Sequence, residues 1–569
     1  METESKGVEM IVDSEDPLKI TTTAAAAAND NDNDVDEGKD CNDPGTLSAE
    51  SLEKSKPPDV MSKVIGRPYA PLVPPGLIYW VELFCITIQA IGLSFFCLGY
   101  LNVVFWIPEL IFTMGDNEGF PEDPSTTTFL AGNPAWIGIG AFTGLVVGIA
   151  KAYVFRFDTY QGFLEDLMEL GGDDDDGVSS LGGWSWVGVP VTCLLSLMGG
   201  ASLGPESGLG SACTSLSVLY AKYVVDPCCS WARKRCCNRR SNSNSNATTA
   251  SLENGEDNSE ENRSLGKEQA ERIQRRKLIV LCGLVSAFST ILPTPAAAIM
   301  LCVELPGFEA LPVKHGLPFV RTVTQLVVAG TMSFFFFDWF YGDTFLPVEP
   351  IIPGFLHEYQ SSDIPLAMAI GCVGALLAVG YFVFGGIVKR VAGTSKAALD
   401  ARFGEKHRIL LLCILGGISF GLLGYIFPLT LGDGSAQIGA IISERSGRNI
   451  STPVLVSSCF AKMLAFWISQ EFGFVGGLFY PILLVSSIGG RVIVNEFGTP
   501  WAMTMACSLV AIPSAFTPMP FALLVLATSL FNMSSRSSVP VLVTVVTANV
   551  LFTGIGIPQA MLRLAKPKQ

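Results

Sequence analysis

Apolar runs long enough to cross a membrane recur along this chain and leave few folds open to it. A helix needs about 20 predominantly apolar residues to span the hydrocarbon layer. The clearest runs cover residues 77–107, 136–154, 278–303, 319–341, 364–387, 408–428, 452–468 and 537–558. Of the 569 residues, 49% are hydrophobic and only 16% are charged, which is too little charge for the surface of a soluble protein of this size. The sequence therefore predicts an all-α polytopic membrane protein whose surroundings are the lipid bilayer.

Polar segments divide the chain. Residues 1–70 hold 16 Asp or Glu and 7 Lys or Arg, and the whole of 1–75 is expected to be a disordered acidic tail. A first membrane half is expected at 76–341, with a disordered polar loop at 226–276 inside it. A second half is expected at 342–560, followed by a short basic tail at 561–569.

Basic residues cluster beside the membrane runs and predict the orientation of the chain. They flank the loop 226–276 and lie near both termini, so both ends and the loop are expected on the cytoplasmic side. Four cysteines beside the loop's first basic cluster are candidates for palmitoylation, and an unmodified cytosolic loop is an equal alternative. These are Cys228, Cys229, Cys236 and Cys237. Without metal-ligand spacing among the cysteines, we expect no metal, no cofactor and no nucleic-acid partner.

An internal repeat relates the two halves. The stretch "AFSTILPTPAAAIMLCVEL" at 287–305 parallels "AFTPMPFALLVLATSL" at 515–530, since each has AF, then P-x-P, then an apolar helix. A glycine-rich helix start precedes each stretch, "SLGPESGLGS" in one half and "FGFVGGLFYP" in the other. Paired halves with broken helices are typical of transporter and channel folds whose site lies at the repeat interface.

The glycine-rich starts predict an anion site. A helix that begins at membrane depth presents unpaired N–H groups and the positive end of its dipole, and both attract anions. Gly204-Pro205 before Glu206 and Gly476-Gly477 before Leu478 suit such starts. Glu206 is itself an anion in such a position, and it would act as a gate if it left on protonation or on displacement by a permeant ion. The alternative is a capping glutamate without any role toward a ligand.

Together these segments resemble the CLC family of chloride channels and chloride/proton antiporters. "SLGPESG" is similar to the glutamate-gate segment in a divergent G-P-E form, "GGLFYP" to the G-x-F-x-P segment, and "TPAAAIMLCVE" to the A-P-L-A-G-x-x-F-x-x-E helix. The resemblance implies an inverted-repeat fold with discontinuous helices and a homodimer with one pore per subunit. It also implies site residues. These are Glu206 as the gate, the backbone amides of Gly204, Ser207, Gly208, Gly477, Leu478 and Phe479 for the anion, Lys462 as a pore-side charge, and Glu304 on a proton path.

The chain departs from the family pattern at three positions. No G-S-G-I-P segment occurs between about 155 and 185, Tyr480 is the last tyrosine, and Leu305 stands where proton-coupled members carry a second acidic residue after Glu304. We also expect no paired nucleotide-binding domains of the kind that many eukaryotic members append. Leu305 favours passive conduction, and anion/proton exchange is the alternative.

The sequence therefore predicts a chloride or small-anion channel and no enzyme. An intramembrane enzyme is a remote alternative, because the three histidines, His315, His357 and His407, lie near segment ends or in loops, and no catalytic constellation accompanies them. Glu82, within the first apolar run, has no partner that the sequence identifies.

Overall fold

Helices separated by short breaks at Gly and Pro form the membrane region. The computed structural model describes residues 76–113, 130, 132–157, 185–244, 257–292, 294–304, 319–341, 359–443, 450–517 and 519–554. Its α-helices are, in chain order, α1 Leu77–Thr113, α2 Ala135–Ile149, α3 Ser185–Met198, α4 Glu206–Tyr220, α5 Asp226–Asn244, α6 Asp257–Ile291, α7 Pro295–Glu304, α8 Phe319–Tyr341, α9 Asp363–Phe403, α10 Glu405–Ile426, α11 Ser435–Ile442, α12 Thr452–Glu471, α13 Phe479–Phe497, α14 Trp501–Phe516, α15 Pro520–Leu530 and α16 Val539–Gly554.

Helix length separates two groups. Among the described residues, six helices are long and apolar enough to cross a membrane, namely α1, α2 with its π-helical continuation to Phe155, α8, α9, α10 and α12. The apolar helices α3, α7, α14, α15 and α16 are shorter. The predicted run 278–303 is split, because α6 ends at Ile291 and α7 begins at Pro295, where proline favours a new helix start over a continued one. The all-α fold with discontinuous helices is as predicted.

Small residues bring α2 and α10 into close backbone contact. A Cβ atom on Gly140 would lie 2.2 Å from the carbonyl oxygen of Gly417, and one on Gly144 would lie 2.2 Å from that of Cys413. Glycines four residues apart allow such an approach between membrane helices. Beyond this contact, the buried Lys151 donates from Nζ to the carbonyl of Gly473 at 2.8 Å, just before the second predicted helix start.

Residues 226–276 differ from the predicted disordered loop. Residues 226–244 form α5 and residues 257–276 form the first part of α6, so the prediction of disorder is wrong for these residues, while 245–256 lie outside the described residues. The physical reason is charge pairing between the two helices. The Asp226 carboxylate accepts from Arg272 at 2.8 Å and from Arg276 at 2.7 and 2.9 Å, and these arginines share one face of α6.

The cysteines predicted as lipid attachment sites fall on α5. Cys229 is buried and Cys228 is half-buried, while the side chains of Cys236 and Cys237 lie outside the described residues. Of the two described thiols, Cys228 is therefore the more accessible to modification. Palmitoylation stays a prediction.

Glu82 has a partner that the sequence did not identify. Its Oε1 accepts from Nε of Arg275 on α6 at 2.6 Å, and both side chains are largely buried, with 14% and 13% exposed. The pair joins α1 to α6 at a point where neither charge is fully hydrated. An ion pair in such surroundings becomes costly when one partner is removed.

We expect Glu82→Gln to destabilise the protein by about 3 kcal/mol, because it leaves the Arg275 charge poorly compensated. Thermal unfolding in detergent, followed by intrinsic fluorescence, measures the loss. The matched control is Glu271→Gln, whose carboxylate pairs with Arg233 at 2.8 Å but is 46% exposed, and we expect it to cost at most about 1 kcal/mol. Equal losses in the two variants would contradict the assignment of Glu82–Arg275 as a structural pair.

Candidate functional site

Two helix starts meet at a pair of glycines. The Gly204 N–H donates to the carbonyl of Gly477 at 2.8 Å, and the Gly477 N–H donates to the carbonyl of Gly204 at 2.6 Å. Helix α4 begins two residues after Gly204, at Glu206, and α13 begins two residues after Gly477, at Phe479. The structure thus brings the two predicted anion-binding segments together.

Glycine is required at both positions because the Glu206 carboxylate lies against them. A Cβ atom on Gly204 would lie 2.1 Å from Oε2 of Glu206, and one on Gly477 would lie 1.7 Å from the same atom. Real Cβ atoms do not approach an oxygen so closely. The side chain of Glu206 therefore occupies space that only glycine leaves open.

The Glu206 carboxylate is buried, with 2% of the residue exposed, and it is bound by the opposite helix start. Its Oε1 accepts from the backbone N–H of Tyr480 in the first turn of α13, at 3.0 Å. Its Oε2 is buried and accepts no hydrogen bond from the residues that the structure describes. The carboxylate thus lies at the positive end of a helix dipole, in the kind of place where a small anion binds.

The amides predicted to bind an anion fall into two groups. Those of Gly204 and Gly477 donate to each other's carbonyl in this structure, and their role in anion binding stays a prediction. The helical hydrogen bonds of α4 begin with Leu209 N–H to Pro205, which leaves the amides of Ser207 and Gly208 outside the ladder.

The same reasoning applies at α13. Its ladder begins with Ile482 N–H to the carbonyl of Leu478, so the amides of Leu478 and Phe479 remain candidates. The amide that contacts the carboxylate belongs to Tyr480, which the sequence analysis did not choose. Pro481 follows it in the first turn and has no N–H. Tyr480 therefore carries the last amide before the helical hydrogen bonds begin at Ile482.

Side chains from other helices hold the site in place. Ser196 on α3 accepts through Oγ from the N–H of Val475 at 3.2 Å, and Ser469 on α12 accepts through Oγ from the N–H of Ser202 at 3.3 Å. The Tyr480 hydroxyl donates to the carbonyl of Ile291 at the end of α6, at 3.0 Å. The two helix starts are therefore fixed against α3, α6 and α12.

Lys462 is fully buried on α12, with 0% exposed. Its Nζ donates to the carbonyls of Thr430 at 3.1 Å and of Gly432 at 2.6 Å, in the segment between α10 and α11. The N–H of Gly432 donates in turn to the carbonyl of Gly200, shortly before α4. Lys462 thus supports a segment beside the site, and no hydrogen bond between it and Glu206 is found among the described residues.

Asp433, which follows Gly432, is a charged group that the sequence analysis missed. Its Oδ1 accepts from the N–H and the Oγ of Ser435 at 3.1 and 2.9 Å, at the start of α11. The signal was an acid between two glycines in "LGDGSAQ", in a stretch without other charges. An aspartate that accepts from the N–H two residues later is also typical of a local Asx turn.

Glu304 lies at another helix start. Its Oε1 and Oε2 accept from the N–H groups of Phe521 and Ala522, both at 2.9 Å, in the first turn of α15. The described contacts of Glu304 thus join the two P-x-P helices α7 and α15 and do not include Glu206. Its place on a proton path stays a prediction, and Leu305 lies outside the described residues.

Three solved structures with a similar fold are described as anion/proton antiporters or as a CLC transporter. A slow cyanobacterial Cl⁻/H⁺ antiporter is 15% identical, covers 86% of this chain and 99% of its own, and gives a TM-score of 0.59. A eukaryotic CLC transporter is 14% identical with a TM-score of 0.54, and the match covers 84% of this chain and 73% of that one. A CLC-type fluoride/proton antiporter is 15% identical with a TM-score of 0.53, with 84% and 95% covered.

A match between the sequence and a protein-family model identifies the family. No curated protein matches this chain in a sequence search. Residues 176–553, which are more than half of the chain, match the family described as "voltage gated chloride channel". They include both helix starts, Lys462 and both P-x-P helices. The chain is a multi-pass membrane protein and belongs to the voltage-gated chloride channel family, the CLC family of anion channels and transporters.

Proposed function

We propose that this protein moves chloride or a similar small anion across a membrane through the site between α4 and α13, with Glu206 as its gate. The observation that carries the proposal is the Glu206 carboxylate, buried and bound by the Tyr480 amide at 3.0 Å at a helix start. A carboxylate and an inorganic anion compete for the same amides and the same positive potential. The anion can enter only when Glu206 leaves, and protonation favours its departure.

Of the two possible modes of transport, we propose anion/proton exchange first. The site's gate is a protonatable group whose Oε2 has no donor among the described residues, so it can take up a proton without losing a hydrogen bond there. Two of the similar solved structures are described as anion/proton antiporters. A passive channel is the second candidate, because Leu305 replaces the acidic residue that the family's proton-coupled members carry after the position of Glu304.

The remaining parts of the proposal concern assembly and orientation. By its family, the protein is proposed to be a homodimer with one anion path in each subunit and to have no enzymatic activity. The basic flanks of 226–276 support a cytoplasmic location for this segment and for both termini. Chloride is the anion we expect first, and the amides do not by themselves distinguish it from other small anions.

We expect Glu206→Gln to raise anion flux and to remove its dependence on pH, because glutamine imitates the protonated carboxylate. Chloride efflux from proteoliposomes, recorded together with internal pH, measures both effects. In the wild type, uphill proton movement driven by a chloride gradient identifies exchange, and its absence with sustained flux identifies a channel. Flux and pH dependence that stay unchanged in Glu206→Gln would remove Glu206 from the gate.

We expect Gly477→Ala to displace the Glu206 carboxylate, because the new Cβ would lie 1.7 Å from Oε2. Adding Glu206→Gln to this variant should then change flux by less than twofold, since the carboxylate has already left. The control is Gly489→Ala on the same helix, where the nearest atom to the new Cβ is a Leu377 methyl at 3.4 Å. In the control, Glu206→Gln should keep its full effect. A full effect in Gly477→Ala as well would contradict the close packing of Glu206 on this glycine.

A further inference from the structure

We propose that Asp433 is a second charged residue of the gate and that its negative charge helps to set the pH at which Glu206 takes up a proton. This inference rests on the proposed function, because it concerns the same carboxylate. Asp433 acts on Glu206 through space and is a positioning residue, without a direct contact to the anion.

The segment that carries Asp433 is fixed to the elements that hold Glu206. Gly432 donates its N–H to the carbonyl of Gly200, in the segment that leads into α4, at 3.0 Å, and accepts from Lys462 at 2.6 Å. On the other side, Gly434 has a φ of 106°, and a Cβ there would lie 2.8 Å from the side chain of Leu484 on α13. Residue 433 is therefore held between the approach to α4 and the body of α13.

Only one oxygen of the Asp433 carboxylate accepts hydrogen bonds from the described residues. Oδ1 accepts both from Ser435, and Oδ2 is buried without one. A buried charged oxygen without a donor is costly unless opposite charge lies nearby. The buried ammonium of Lys462 is the neighbouring cation, since its Nζ binds the carbonyl of Gly432 at 2.6 Å.

Charged and polar groups from several elements lie around this site. Asp433 lies before α11 in the segment bound to Gly200 and Lys462, Tyr480 on α13 donates its N–H to Glu206, and the Cys193 thiol on α3 lies beside Gly208. Lys151 donates from Nζ to the Gly473 carbonyl just before α13 and is a further buried cation. The two carboxylates, Glu206 and Asp433, repel each other when both are ionised, and a proton on either one removes that repulsion.

The hydrogen bonds decide which carboxylate takes that proton. Two donors from Ser435 stabilise the ionised form of Asp433, whereas Glu206 has one backbone donor and a bare Oε2. The proton therefore goes to Glu206, and the ionised Asp433 opposes its loss by like-charge repulsion. Removing the charge of Asp433 lets Glu206 stay ionised, and the gate stay closed, down to a lower pH.

The test is the pH profile of anion flux in proteoliposomes. We expect Asp433→Asn to move the midpoint of flux to lower pH by about one pH unit, and Asp433→Glu, which keeps the charge, to restore the wild-type midpoint. In the Glu206→Gln background, Asp433→Asn should produce no shift of the flux midpoint, because the titrating group is gone.

The matched control is Asp363→Asn. Asp363 is a buried aspartate that accepts from the Gln360 N–H at the start of α9 at 2.8 Å, and its loss should leave the midpoint in place.

A second variant tests the role of Asp433 if Asp433→Asn misfolds. Ser435→Ala removes one donor to Oδ1 and should shift the midpoint in the same direction by a smaller amount. Unchanged midpoints in Asp433→Asn and Ser435→Ala, in protein that elutes as a single species and still responds to Glu206→Gln, would overturn the role of Asp433 alone. A wild-type profile in Glu206→Gln would instead overturn the proposed function.

Discussion

Two reciprocal backbone hydrogen bonds, between Gly204 and Gly477, hold the site together. In a membrane interior, water does not satisfy the N–H and C=O groups that a broken helix exposes, so the protein must do so itself. Here the N–H and C=O groups of Gly204 are satisfied by those of Gly477, and the reverse. The same pairing sets the two helix starts side by side and leaves the next amides, above all that of Tyr480, directed at the Glu206 carboxylate. Because both residues are glycines, the carboxylate can lie on the pair itself.

The carboxylates of Glu304, Asp433 and Glu206 each lie at a helix start, and they differ in how fully they are bound. Glu304 accepts at both oxygens from α15, Asp433 accepts twice at one oxygen, and Glu206 accepts once. A fully bound carboxylate is a structural cap, because leaving would strand two donors. A carboxylate with one bond and one bare oxygen loses little when it moves or binds a proton. The degree of satisfaction thus separates the structural carboxylate from the proposed gate on chemical grounds.

The sequence predicted helix starts after Gly204-Pro205 and after Gly476-Gly477 and apolar helices after both P-x-P motifs, because Gly and Pro mark such points locally. It treated 278–303 as one run, which the structure splits before Pro295. It did not predict which amides remain available, since the bond between Gly204 and Gly477 joins residues far apart in the chain. Asp433 and the partner of Glu82 were missed for the same reason. Helix α5 and the first part of α6 were missed because their stability comes from pairs such as Asp226 with Arg272 and Arg276, whereas their composition resembles that of a disordered loop.

Competition for one amide is enough to couple an anion to a proton. In the proposed mechanism, the Tyr480 N–H binds either the Glu206 carboxylate or an incoming anion, and a proton on Glu206 releases it for the anion. Linkage requires the converse, that a bound anion favours the protonated gate by the same free energy. Glu304, whose two oxygens accept from the start of α15, would have to break these hydrogen bonds to carry that proton onward, and its place on a proton path stays a prediction. Charge near the gate itself, as at Asp433 and Lys462, can bias this competition without any large motion of the helices.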